Sequence, residues 1–416
     1  MPFDVSSLFR TNLPAPAKAP FKGFPAFNFV GGHNDAGGIP VEALKAAATK
    51  VIAREGATLA TYGLNSGPQG YRPLREFIAS WMAKCADMQD SAEEILITSG
   101  SLQALDLVNQ LLVAPGDFVI AEEATYSGAL ARLTKLDVPY LGVRLDDDGI
   151  DPRHLAELLE NRQKAGSPVK FIYTIPTIQN PTGGVMPVKR RRLLLDLAAR
   201  YNCLIFEDDC YADLVWSGNR PPSIRALDVS AATAEGRPNR VIYCGSFSKS
   251  VAPALRIGYI MADWPILSQI LPLKTDAGTG ALDQMALAEF CKEHFADHVT
   301  RLRALLKRKC DVTIKAIEEY FGTTAECTAP QGGIFIWVTL PDVVDTKKLE
   351  IAALKEGIAI NPGEEWTVDG AQNRRRMRLC FGNPNETQIR EGISRLAAVC
   401  HREFGVPGRI SNVEQT

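Results

Sequence analysis

Lys249 stands in the stretch GSFSKSVAPALRIGYI, residues 245–260, directly after the apolar run RVIYC. A lysine on a solvated loop normally has acidic or amide neighbours, whereas this one is ringed by serines, with Arg256 following. The alternative to a solvated side chain is an amine held in a pocket for covalent chemistry, as in the imines that lysines form with carbonyl groups. A second signal lies upstream in CLIFEDDCYADLVW, which runs apolar into Glu207, Asp208 and Asp209, with Tyr211 just beyond. Consecutive carboxylates at the end of a buried strand cost desolvation energy unless something cationic meets them. Helix capping accounts for at least one of them, since Asp is a favoured N-cap.

Other chemistry-bearing residues recur at the ends of apolar runs. Ser99-Gly100-Ser101 follows ILIT and opens a helical pattern, where free backbone N–H groups and the helix dipole suit a phosphate. Tyr126, in ATYSGAL, either stacks on a flat ring or packs in the core. Asn180, in TIQNPTGG, either caps the rigid Pro-Thr-Gly-Gly bend or points into a crevice. Ser246 and Ser248 flank the lysine's approach. Read together, these are a phosphate cradle, a stacking aromatic, an amide, an anion, a phenol, a lysine and an arginine. A pyridine ring carrying a phosphate, a phenolic oxygen and an aldehyde uses all of them. Lys249 would form a Schiff base with the aldehyde, and Asp208 would keep the ring nitrogen protonated. Asn180 and Tyr211 would bond the phenolic oxygen, while Ser246 and Arg256 hold the phosphate.

The elements that must position these groups are short strands alternating with amphipathic helices. Candidate strands are ILIT, FVIAEE, PYLGVRL, KFIYTIP, CLIFEDD, VIYCGS and RIGYIMA, with helical runs such as VEALKAAATKVIA, SLQALDLVNQLLV and KRRRLLLDLAARY. This alternation predicts an α/β fold with a mostly parallel seven-stranded sheet between helices. Ligands of such sheets sit beyond the carboxyl ends of the strands, where the residues above fall. From about Asp283 the texture changes to long helices, then GGIFIWVTL and RRMRLCFG, which read as strands of a smaller α+β domain. The expected division is an N-terminal arm and part of the small domain over 1–50, a large domain over 51–285, and a C-terminal small domain over 286–416. The Pro/Gly-rich start to Pro40 reads as an extended arm, and the closing SNVEQT as a frayed tail.

Composition narrows the class. A formal net charge of -2 over 416 residues gives no reason to expect nucleic acid or anionic membrane as a partner. No apolar run approaches a membrane span, and the N-terminus lacks a secretory layout. Nine scattered cysteines and five histidines indicate neither a disulfide framework nor a metal site. The expectation is a metal-free cytoplasmic protein. The basic run KRRRLLL reads as an exposed helix face, Arg374, Arg375 and Arg376 as solvated charges, and Arg10 as an exposed arginine of the arm.

The motifs resemble those of the fold-type I, class I/II aminotransferases dependent on pyridoxal 5'-phosphate (PLP), most of all the 2-aminoadipate/kynurenine and broad-specificity group. The matching segments are YGLNSGPQGYRPLREFIA, ILITSGSLQALDLV, EEATYSGAL, IPTIQNPTGG, FEDDCYADLVW, GSFSKSVAPALRIGYI, APQGGIFIWVTLP and MRLCFG, in the family's order. The resemblance implies Lys249 as the Schiff-base lysine and proton-transfer base, Asp208 at the pyridine nitrogen, and Tyr126 on the ring. It implies Asn180 and Tyr211 at the phenolic oxygen, and Gly100, Ser101, Leu102, Ser246 and Arg256 around the phosphate, with Ser248 also among the cofactor-binding residues. Gly32 and Asn180 would border the substrate, and Arg378 would clamp its α-carboxylate. Tyr62 would reach the phosphate of a neighbouring subunit, implying a homodimer. The implied activity moves an amino group from an L-amino acid to a 2-oxo acid by a ping-pong mechanism. The alternatives are β-elimination, racemisation or a biosynthetic condensation on the same scaffold, or a ligand-sensing domain. Two departures stand out: His33 and Asn34 in VGGHNDAGGIP, and Cys210 before Tyr211, which reads as packing. The arm and KTDAGTGALDQ are the segments expected to meet the donor side chain.

Overall fold

The computed structural model describes residues 4–9, 16 and 20–407; Arg10 and the SNVEQT tail lie outside them. Seven strands form the large sheet: β1 (Ile95–Thr98), β2 (Phe118–Glu122), β3 (Tyr140–Val143), β4 (Val169–Thr174), β5 (Leu204–Asp208), β6 (Val241–Ser246) and β7 (Gly258–Met261). Their order is β1-β7-β6-β5-β4-β2-β3, with β7 antiparallel to both neighbours and the other pairings parallel. Each of the seven runs expected from the sequence is a strand. Outside the edge strand β3, nearly every strand residue is buried, which is why these runs read as mainly apolar rather than alternating.

Helices cover both faces. Leu105, Val108 and Leu130 pack on Phe171, Phe206, Ile242 and Ile260 on one face. These come from α3 (Ser101–Leu112) and α4 (Ser127–Lys135); α1 (Val41–Glu55) and α2 (Arg72–Ala86) precede them. On the other face, Leu155, Leu159, Leu194 and Ala198 meet Ile120, Ile172, Ile205 and Val241. They belong to α5 (Pro152–Lys164) and α6 (Val188–Arg200), joined by Ile224 of α7 (Ile224–Glu235), while α8 (Trp264–Ile270) adds Leu267 and Ile270 to the α3/α4 face. Burying one such Leu or Phe stabilises the fold by roughly 1.5–3 kcal/mol.

Alternation along β5 sorts the three carboxylates. Ile205 and Glu207 point to the α5/α6 face, while Phe206 and Asp208 point to the α3/α4 face. Glu207 meets the start of α7, accepting from the backbone N–H groups of Ile224 and Arg225 at 2.8 and 2.9 Å. It is therefore the capping carboxylate, although it lies far from α7 in sequence. Asp209 pairs with Arg220 at 3.0 Å and the Tyr243 hydroxyl at 3.1 Å. Asp208 alone is left for the cavity.

The basic run at the start of α6 corrects the sequence reading. Lys189 and Arg192 are exposed, but Arg191 is fully buried. Its guanidinium donates to the carbonyls of Met186, Pro176 and Pro222 and to Thr177 Oγ1, and lies 3.6 Å from Glu207. The residue ties the turn before Asn180 to the α7 start, a job invisible to helical periodicity. Arg191→Ala should destabilise the protein by about 3–5 kcal/mol, read from the shift in urea unfolding, because Glu207 and three carbonyls lose a buried partner. Arg374 is exposed as expected; Arg375 and Arg376 are partly covered and bond Asp342 and Asn373.

Helix α9 (Ala281–Tyr320) runs 40 residues, passing from the large sheet's cover to the second core. There the strands β8 (Glu326–Cys327), β9 (Phe335–Thr339), β10 (Asn361–Pro362) and β11 (Arg376–Cys380) pair in the order β8-β9-β11-β10. Helices α10 (Thr346–Lys355) and α11 (Glu386–Phe404) pack on it through Leu349, Ile389, Ile393 and Leu396. The chain start joins this unit, since Phe27–Asn28 pairs in parallel with Ile358–Ala359 and Phe29 enters the same core.

Candidate active site

Beyond the carboxyl ends of β4, β5 and β6 lies a cavity of about 330 Å³. Lys249, Asp208, Tyr126, Asn180, Tyr211, Ser101, Leu102, Ser246, Ser248, Arg256, Gly32 and Arg378 all line it. Lys249 sits on the turn after β6, and its Nζ donates to the Gly32 carbonyl at 2.6 Å. Burial pushes its pKa below that of an ordinary lysine. The serines around it answer the opening puzzle: Ser246 Oγ and Ser248 Oγ lie 3.0 Å apart on the cavity wall, while Phe247 turns inward against Phe295.

One end of the cavity is built for an anion. Gly100 caps α3 with φ +80° and, as a glycine, gives the helix start no side-chain cap. The first N–H groups of a helix have no internal acceptor, and Ser101 and Leu102 border the cavity. Arg256 stands beside them, bonding the carbonyls of Ser99 and Pro253 at 3.1 Å each. A Cβ on Gly100 would run into Arg256 Nη2, and one on Gly258 would come within 2.7 Å of the Gly100 backbone. Gly100→Ala should therefore displace Arg256 and weaken cofactor binding at least tenfold, measured by titrating PLP into the cofactor-free protein.

The other end carries the anion. Asp208 is buried, which raises its carboxyl pKa, and the Tyr173 hydroxyl donates to its Oδ2 at 2.7 Å. Cys210 also lines the cavity here, so its position is more than remote packing. Tyr126, the residue before α4, lies over the space, with its ring 6.1 Å from that of Trp366. Burial raises the pKa of the Tyr126 and Tyr211 phenols, and Tyr211 is held edge-on to Phe335 at 5.2 Å.

Arg378 enters from β11. Its Nη1 donates to Asn180 Oδ1 at 2.9 Å and Nη2 to the Val30 carbonyl at 3.1 Å, while Nε has no partner among the described residues. The guanidinium lies 3.7 Å over the Trp366 ring. Asn180 thus faces the crevice rather than only capping its turn.

Tyr62 is apart from this cavity. It is 90% exposed and borders a second cavity of about 830 Å³ with Lys274, Asp276, Thr279 and Gln284. That second cavity also takes in most of KTDAGTGALDQ, which does not reach Lys249 within the described chain. Sequence reasoning missed Trp366, Asn361, Ile175 and Val30, which border the Lys249 cavity, and Tyr173 behind Asp208. Tyr173 left one faint signal, a phenol hydroxyl within a mainly apolar strand.

The donor set fits PLP: an anion for the ring nitrogen, one arginine and helix-start N–H groups for the phosphate, and a second arginine, Arg378, on the cavity wall for a carboxylate. A family model described as aminotransferase class I and II matches residues 29–396. The chain is 36% identical to aromatic-amino-acid aminotransferase 1 of Thermococcus litoralis, over 88% of this chain and 85% of that one. It is 32% identical to the 2-aminoadipate transaminase of Thermus thermophilus, over 89% and 88%. A kynurenine aminotransferase of Pyrococcus horikoshii, solved with PMP, superposes with a TM-score of 0.83 at 36% identity, covering 91% of each chain. With a Lys249 cavity of this composition and these relatives, the chain belongs to the class I and II aminotransferases and is a PLP-dependent transaminase.

Proposed function

We propose that the Lys249 cavity is where the amino group of an L-amino acid passes to a 2-oxo acid in two ping-pong halves. The observation that carries this is a buried amine of lowered pKa between an anionic end and a cationic end of one cavity. Bound PLP supplies a protonated pyridine ring that draws electron density from the carbon losing its proton. Asp208 keeps the ring nitrogen protonated, being an anion at hydrogen-bond reach. Tyr173 donates to the same carboxylate and favours its charged form, offsetting part of the burial penalty. Lys249 would hold the cofactor covalently through Nζ, and the same amine, when free, would accept the proton leaving the substrate Cα and pass it to the cofactor carbon. Its burial favours the neutral amine that this step needs.

Tyr126 covers the ring, Asn180 and Tyr211 hold the phenolic oxygen, and Arg378 grips the substrate carboxylate beside Gly32. Gly100, Ser101, Leu102, Ser246, Ser248 and Arg256 hold the phosphate. The division into an arm with part of the small domain (1–50), a large domain (51–285) and a small domain (286–416) is part of the same reading. So is a cytoplasmic homodimer. An exposed tyrosine, Tyr62, beside an open cavity supports a second subunit there. Among the described residues no helix is long and apolar enough to cross a membrane.

The test is an absorption spectrum of the purified enzyme with PLP, taken before and after single amino acids from an aromatic, kynurenine and 2-aminoadipate panel. Bleaching of the visible band by one donor, reversed by a 2-oxo acid, supports transamination at Lys249. Release of ammonia or a racemised product without that reversal would assign the site to another PLP reaction.

A further inference from the structure

Glu122 ends β2, the strand next to the sheet's β3 edge, and is fully buried, with no ion pair among the described residues. Hydrogen-bond donors surround it instead. Oε1 accepts from Thr174 Oγ1 at 2.7 Å and the Ile175 N–H at 3.1 Å. Oε2 accepts from Gln179 Nε2 at 2.8 Å and Thr125 Oγ1 at 3.3 Å. These donors come from two segments that both end at the cofactor site. Thr125 precedes Tyr126, while Thr174, Ile175 and Gln179 lead to Asn180.

Gln179 extends the bridge. Its Nε2 also donates to the Ala124 carbonyl at 2.7 Å, and its Oε1 accepts from Thr182 N–H and Oγ1 at 2.9 and 2.7 Å. The Thr125 N–H donates to the Trp366 carbonyl at 2.8 Å, so the tryptophan under Arg378 hangs on the same bridge. Neither Glu122 nor Gln179 borders the Lys249 cavity. We infer that Glu122, with Gln179, is a positioning clamp for transamination, setting the spacing between Tyr126, Trp366 and Asn180. This rests on the roles proposed above for Tyr126 and Asn180.

The carboxylate is the specific choice, because four donors converge on two oxygens. A glutamine would set its own NH₂ against two of those donors, one pair of which includes a backbone N–H that cannot turn away. Burial pushes the Glu122 carboxyl up to about 7 even so, a cost a mere filler of the sheet end would avoid.

The test compares Glu122→Gln, Thr174→Val and Thr174→Ser with the wild type. PLP affinity, the absorption maximum of bound PLP, and kcat and KM per cofactor-loaded site are measured along with Tm. For Glu122→Gln the expected result is a tenfold or greater loss of PLP affinity, a shifted absorption maximum and a tenfold fall in kcat per loaded site. Thr174→Val should move the same readouts less far, and Thr174→Ser, which returns the hydroxyl, should recover them. A lower Tm with unchanged absorption, kcat and KM per loaded site would make Glu122 structural only and overturn the clamp. If Glu122→Gln does not fold, the Val/Ser pair at 174 decides alone. Asn180→Ala and Tyr126→Ala run in parallel: if they too leave these readouts unmoved, it is the site assignment that fails.

Discussion

Lys249→Ala should lose turnover by at least about 10⁴-fold, since positioned proton transfer alone contributes roughly 10²–10⁴ and the covalent link goes with it. The side chain reaches Gly32 across the cavity, and no other primary amine among the described residues borders that space. Lys249→Arg should be as inactive, because a guanidinium stays protonated and cannot act as either nucleophile or base. Both variants keep Gly100, Ser101, Ser246 and Arg256, so PLP should still bind, more weakly and dialysably. Single-turnover mixing with amino acid and PLP-loaded variant checks this. Near-wild-type turnover by Lys249→Ala would remove the lysine from the chemistry altogether.

What could be read from the sequence follows from locality. The seven strands were legible because each is a short, mainly apolar run bounded by turn residues, and burial on both faces of most of them leaves little room for polar side chains. Lys249 was legible because its immediate neighbours are wrong for a solvated charge. Side chains defined by partners from other strands were not. Arg191 looked like one more solvated helix arginine, yet carbonyls on both sides of Asn180 and beyond Arg220 draw it fully inside. Glu122 ends an unremarkable apolar strand, and its four donors lie up to 57 residues away. Trp366 belongs to a segment with no periodicity, and only the closing of β11 onto the cavity brings it under Arg378. The three carboxylates of β5 show the boundary most clearly. Their presence was plain, but which one served the cavity depended on strand alternation and on where α7 begins.

Arg378→Ala should lower kcat/KM for amino donors by about 10–100-fold, the value of a charge-assisted hydrogen-bonded pair of roughly 1.5–3 kcal/mol. Most of that should appear as a raised KM. The guanidinium is already fixed before substrate arrives, by Asn180, by the Val30 carbonyl and by the Trp366 face, so little ordering entropy is lost on binding. The Nε–H is buried and has no acceptor in the described chain. PLP affinity should change less than severalfold, since the phosphate end is untouched. Steady-state kinetics with the donor named by the spectral panel separate the two effects, and an unchanged KM would place the carboxylate clamp elsewhere. Arg378→Lys should recover only a minor part, because an ammonium offers neither the fork nor the flat face that rests on Trp366. Trp366→Leu tests that last point independently. Removing a desolvated cation–π contact worth up to about 2 kcal/mol should raise KM in the same direction with Arg378 still in place.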